Sequence, residues 1–217
     1  MPAGKLYKSK SRKRSFRSRR RTQQSQRVNT KINALYNAIE MKYDDLTITD
    51  QVVTSAGIVN HLTSIAEGDA SLNRTGLKIT PTSLYGRFLF KADPAGFQNQ
   101  AVRMMVVIDK QQVTDSTPSA ADVLDGAVQV VSPLDRLFRN RFHVLYDKAW
   151  TMVSGANSQM VHKEFYLKIP KWCHTWYNGE NATDIQKNGI YLLYLTQESG
   201  ANEILCTARL RTSFYDL

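Results

Sequence analysis

The chain has 217 residues, 42% of them hydrophobic and 10% aromatic, and a formal net charge of +10. That is enough apolar material for a core, and one domain of about 190 residues behind an N-terminal arm is ordinary for an all-β sandwich. Two cysteines make no disulfide framework, no apolar run follows the N-terminal charges as in a secretory signal, and none approaches the ~18 residues of a helical membrane span, so none of these classes is expected.

The charge is not spread evenly. Twelve of the 29 basic residues precede the first acidic one, Glu40, which leaves 17 against 19 in the rest of the chain. Ten of the twelve are Lys5, Lys8, Lys10, Arg12, Lys13, Arg14, Arg17, Arg19, Arg20 and Arg21; Arg27 and Lys31 follow. Residues 1–21 have almost nothing to bury and are predicted to be disordered when free. Arg and Lys separated by Ser offer point contacts to phosphates and no geometry for reading bases, so the segment reads charge and not sequence. Tyr7 and Phe16 can stack on unpaired bases, which favours a single strand. A solvated tail or a nuclear localisation signal is the plainer reading of such a run. Nuclear import and polyanion binding are both expected.

Across 22–39, Val28, Ile32, Leu35, Tyr36 and Ile39 recur at helical spacing and predict an amphipathic helix, packed either on its own domain or on neighbouring chains. Beyond it the texture is strand and turn. Strands are predicted at about 43–53, 57–65, 77–91, 101–109, 141–152, 160–169, 189–197 and 203–215. Pro81 places its missing N–H at an edge or a bulge. Ser119 is a candidate N-cap for a short helix at Ala120–Leu124, Ser132–Arg136 starts a short turn or helix, and 178–188 reads as loop. Eight antiparallel strands with long connections and no regular helices between them predict an all-β sandwich, of which the jelly roll is the eight-stranded form.

No active site is legible. His61, His143, His162 and His174 stand in no metal-binding spacing, and there is no C-x-x-C, P-loop, G-x-S-x-G or G-x-G-x-x-G. An enzyme, a cupin included, is therefore not expected, and no cofactor is required. Trp150, Trp172, Trp176 and Tyr177 belong either to the core or to a subunit contact.

Several segments, in order, resemble a known family. Gly57–Gly76 is similar to the N-G-I-x-Q-G-D-x-x-N-Q-R-x-G stretch of satellite tobacco necrosis virus-like coat proteins and of capsids from circular Rep-encoding single-stranded DNA viruses. Val102–Gln111 followed by Pro118–Leu124 resembles R-V-x-V-V-x-D-K-Q…P-x-x-x-D-I-L. Arg139–Lys148 resembles N-R-D-R-F-x-V-L-Y-D-K, and Ala208–Asp216 resembles the closing R-x-R-x-x-F-x-D. The likeness covers about 40–216. It implies a single-jelly-roll capsid protein, a T=1 shell of sixty copies with arms inward, and a single-stranded genome inside, DNA before RNA. It also implies calcium between subunits in some members, with Glu40, Asp216, Thr75 and Lys78 at one site and Asp69 on a threefold axis. The plainer expectation is that these carboxylates cap the helix or pair with Arg74, Arg209 and Arg211. A satellite RNA virus coat protein is the near alternative. A cellular nucleic-acid-binding or chaperone-like sandwich is the distant one.

Overall fold

The structure is a computed structural model, described over residues 24–31, 41–92, 99–112, 116–126, 128–137, 139–153, 160–197 and 204–216. Residues 24–31 form helix α1, on which Arg27 and Lys31 are exposed. The remainder of the expected helix lies outside the described residues.

Met41–Leu217 is one compact unit. Its strands are β1 (Met41–Val53), β2 (Ile58–His61), β3 (Lys78–Ala92), β4 (Gln100–Asp109), β5 (Phe142–Met152), β6 (Met160–Lys168), β7 (Thr175–Tyr177), β8 (Ile185–Lys187), β9 (Gly189–Thr196) and β10 (Ile204–Asp216). Sheet A runs β1-β10-β3, and β3 then pairs with both β6 and β7-β8; sheet B runs β2-β9-β4-β5. All pairings between these strands are antiparallel. Counting only the eight longer strands, the sheets read first-eighth-third-sixth and second-seventh-fourth-fifth. That is the jelly roll.

The eight predicted strands are all present, and two short ones, β7 and β8, were not foreseen. The second strand stops at His61 because the chain then crosses between the sheets. Leu62 is buried there; its N–H donates to Ile190 O on β9 at 2.8 Å, and its carbonyl accepts from Thr212 Oγ1 on β10 at 2.8 Å. Pro81 sits at an irregularity of the β3–β10 register, between Ser213↔Ser83 and Phe214↔Pro81, where a ladder N–H is not needed. Asp50 adopts a positive φ of 43° at a second register shift, in β1. Its carboxylate accepts from Thr207 Oγ1 at 2.8 Å.

The main core lies between the sheets, with Phe88 and Phe90 of β3 against Met104, Val106, Leu192 and Tyr194 of sheet B. Each such side chain is worth about 1.5–3 kcal/mol on burial. Sheet B has a second apolar layer on its far side: Met105, Val107, Tyr191, Leu193 and Leu195 pack under Ala120, Val123, Leu124 and Val130. This explains why every residue of β9 is buried. The covering segment contains helix α2 (Ala120–Val123), where Asp122 Oδ2 accepts from Ser119 N and Oγ at 2.7 and 2.9 Å. Within the Met41–Leu217 unit, no element among the described residues covers the far side of sheet A.

The aromatic group divides. Trp150 packs against the core, and Tyr177 is buried with its hydroxyl donating to Thr63 O at 2.7 Å. Trp172 and Trp176 remain 47% and 42% exposed. His61 stacks on Tyr191 with ring centroids 4.6 Å apart, and burial pushes its pKa down to about 4. Cys173 and Cys206 are buried, unbridged thiols, each pushed up to about 12 by burial.

Candidate nucleic-acid interface and the Asp216 cluster

Of the twelve basic residues expected to meet nucleic acid, Arg27 and Lys31 lie on α1 and point to solvent; the other ten, and Glu40, lie outside the described residues. The structure does bring two of the candidate cation ligands together. Asp216, at the end of β10, accepts on Oδ2 from the Thr75 N–H at 2.7 Å and the Thr75 hydroxyl at 2.5 Å. A third donor was not foreseen: Lys42 Nζ on β1, 2.9 Å from the same oxygen and 2.8 Å from Asn73 O. Both side chains of this ion pair are largely buried, at 11% and 8% exposure. Burial works to raise the Asp216 pKa, but the hydrogen bonds from Thr75 and Lys42 outweigh it, and the carboxyl sits below its ordinary value.

Lys78, expected to contribute through its backbone carbonyl, adjoins Ile79, the strand partner of Asp216. Lys78 lies with its ammonium 5.2 Å from the Trp176 ring centroid, and Asp69 is exposed on the connection after β2. Calcium takes six to eight hard oxygens. Asp216 Oδ1 is a buried acceptor with no donor, but Oδ2 and the Asn73 carbonyl already hold an ammonium. Among the described residues no three metal-ligating side chains converge. As placed, Asp216, Thr75 and Lys42 form a lysine-closed ion pair within one chain, and Glu40, the other carboxylate of the expected calcium site, lies outside the described residues.

Arg74, named above only as a pairing partner, is the hub of the neighbouring connections. It is 0% exposed. Nε donates to Ile65 O at 3.0 Å, and Nη1 to Glu67 Oε2 at 2.9 Å and Gly76 O at 2.5 Å. Nη2 donates to Gly179 O, and the guanidinium lies 4.0 Å from the Tyr177 ring centroid. One side chain thus ties the β2–β3 connection to the turn after β7. Glu67, where the resembling motif has Gln, supplies the neutralising carboxylate.

The sequence profile of satellite tobacco necrosis virus coat proteins matches residues 10–212, from within the basic arm to the last strand. The chain belongs to the satellite tobacco necrosis virus coat protein family. None of the curated protein sequences matches this coat protein. Solved structures similar to it include empty turnip yellow mosaic virus (12% identity, 82% of this chain and 81% of that one, TM-score 0.38) and broad bean stain virus (11%, 80% and 85%, 0.33). Infectious bursal disease virus is another (13% identity, TM-score 0.36), with 81% of this chain matched but only 32% of that longer one. Likeness at these scores bears on neither family nor function.

The coat protein also carries a pH-sensitive carboxylate. Asp44 lies on β1 two residues from Lys42, half-buried and with no hydrogen bond or ion pair among the described residues. Burial first, and then the Asp45 carboxylate, push its pKa up from 3.8 to about 6. The folded state therefore holds this proton more tightly than the unfolded chain. The resulting stability is fully present below the unfolded value and is lost as pH rises through about 6. Asp44→Asn is expected to flatten that fall and to gain on the order of 1 kcal/mol at pH about 8, after allowance for solvent screening. Urea unfolding of both proteins at pH about 5 and about 8 checks this, and an unchanged pH difference in the variant would remove Asp44 as its source.

Proposed function

We propose that this protein builds the shell of a small virus particle, sixty copies in a T=1 arrangement, and packages a single-stranded genome through residues 1–21. Residues 22–39 are assigned to a connecting helix that extends the basic run with Arg27 and Lys31, and residues 40–217 to the shell. The observation that carries this reading is the separation of charge. All of the positive excess precedes Glu40, and the sandwich behind it is near neutral. A nearly neutral body can pack against copies of itself while the arm meets a polyanion. Twelve charges per copy over sixty copies give about 700, each able to match one phosphate of a genome of one to two kilobases. The role is structural and not catalytic, and the basic run also suits import into a host nucleus.

The genome is assigned as DNA, because Val102–Gln111 and Arg139–Lys148 are most similar to capsids of circular single-stranded DNA viruses. RNA is the second reading, favoured by the family match itself. Electron microscopy of the purified protein is expected to show closed spherical particles of one size. A small monodisperse species would overturn the shell. Nucleic acid extracted from the particles should yield to DNase and resist RNase; the reverse would assign RNA.

A further inference from the structure

The uncovered side of sheet A has a definite layout. One row across β1, β10, β3 and β6 reads Asp45, Arg211, Tyr85, Tyr166. In the next row Arg209 stands directly opposite Arg87, with Glu164 beyond it. Like charges directly opposite one another destabilise a sheet. Arg211 is neutralised by Asp45 through two hydrogen bonds of 2.6 Å. Arg87 has only Glu164 at 3.6 Å, with both side chains more than half exposed, a pairing worth little in water. Arg209 forms no ion pair among the described residues. Two adjacent arginines thus stand on an open surface with only the exposed Glu164 and, at longer range, the Asp45 already held by Arg211 as counter-charge.

Beside them stands an aromatic row. Tyr85 and Tyr166 are cross-strand neighbours, Tyr166 is 61% exposed, and the Arg87 guanidinium lies 5.5 Å from the Tyr85 ring centroid. The rows are about 7 Å apart along the strands. A shallow hollow of about 490 Å³ runs from Asp45 and Tyr85 past Arg211, Arg209 and Arg87 to Leu89 and His162. Cations flanking a stacking platform are the chemistry of sequence-tolerant single-strand binding. A sulfated glycan would use the arginines and leave the tyrosines idle.

We propose that this face binds single-stranded nucleic acid, with phosphates on Arg87 and Arg209 and bases on Tyr85 and Tyr166. It is a second contact, on the folded domain, and it rests on the genome-packaging reading above. The test uses the full-length chain and a fluorescent oligothymidine of about 20 nucleotides, long enough to span several stacking and phosphate contacts. For Arg87→Gln/Arg209→Gln, the slope of log affinity against log salt is expected to fall by about 1.4, at about 0.7 per phosphate on a single strand. The Lys/Lys variant should keep the slope, and both should keep the thermal midpoint. Ultraviolet crosslinking is expected to give adducts on the peptides holding Tyr85 and Tyr166, and Tyr166→Ser should lose the second.

Adducts confined to residues 1–31, with an unchanged slope, would overturn the proposal and leave the arm's role standing. Adducts on the face but not the arm would support it and overturn the arm. Adducts at neither would overturn both. Loss of heparin binding with oligothymidine binding intact would reassign the face to a glycan, and loss of particle assembly with oligothymidine binding intact would reassign it to a contact between copies. Either outcome sinks the proposal.

Discussion

Arg74→Ala is expected to lower the unfolding free energy of the sandwich by about 3–5 kcal/mol, the combined scale of several hydrogen bonds from one buried charged group at about 1.5–3 kcal/mol each. The loss is this large because the substitution empties one position and orphans several. The carbonyls of Ile65, Gly76 and Gly179 lose their donor together, and Glu67 loses its counter-charge. Each buried acceptor left unpaired costs about 1–3 kcal/mol, and the failures are coupled because the groups share one network. Arg74→Lys should recover little, since an ammonium cannot reproduce the planar fork that reaches four acceptors. Urea denaturation of the three proteins measures the effect. A loss below about 1 kcal/mol would mean that the connections hold together without this hub.

Deletion of residues 1–21 is expected to strip the particles of nucleic acid while leaving the sandwich folded. The deletion removes ten basic residues and no acidic ones, so the formal charge falls from +10 to zero. At about 0.7 per phosphate contact, the salt dependence of single-strand binding should drop by about 7 in slope. Among the described residues, no buried member of the main core precedes Ile48, and the deletion is expected to leave the sandwich folded. The ratio of absorbance at 260 and 280 nm in purified particles gives the packaged amount, and circular dichroism gives the fold. Normal packaging by the truncated protein would refute the arm's role.

The eight long strands were legible because each carries either β-branched alternation or a continuous apolar run bounded by turn residues. The three-residue β7 and β8 were not, since three residues display no period. The full burial of β9 was legible as apolar character, but its cause was not. It needs the cover from Ala120 to Val130, where the Ser119 cap marked a short helix but nothing in the sequence said which face of which sheet that helix would cover. At the Asp216 cluster, the family resemblance pointed to Asp216 and Thr75. Lys42 carried no signal, because it lies 174 residues from its partner and meets it only when the first and last strands pair. The opposition of Arg209 and Arg87 was hidden for the same reason. Within one strand each is an ordinary outward residue, and only the register sets them face to face.

That pairing of β1 with β10 also orders events in time. β10 is an interior strand of sheet A, flanked by β1 and β3, so the sheet cannot close until residue 216 has left the ribosome. At about 5–20 residues per second, roughly ten to thirty seconds separate the synthesis of β1 from that of β10. Throughout that interval the basic arm is already out and the sandwich behind it is still incomplete. The nascent chain can thus engage a polyanion before it has a surface with which to recognise another copy of itself.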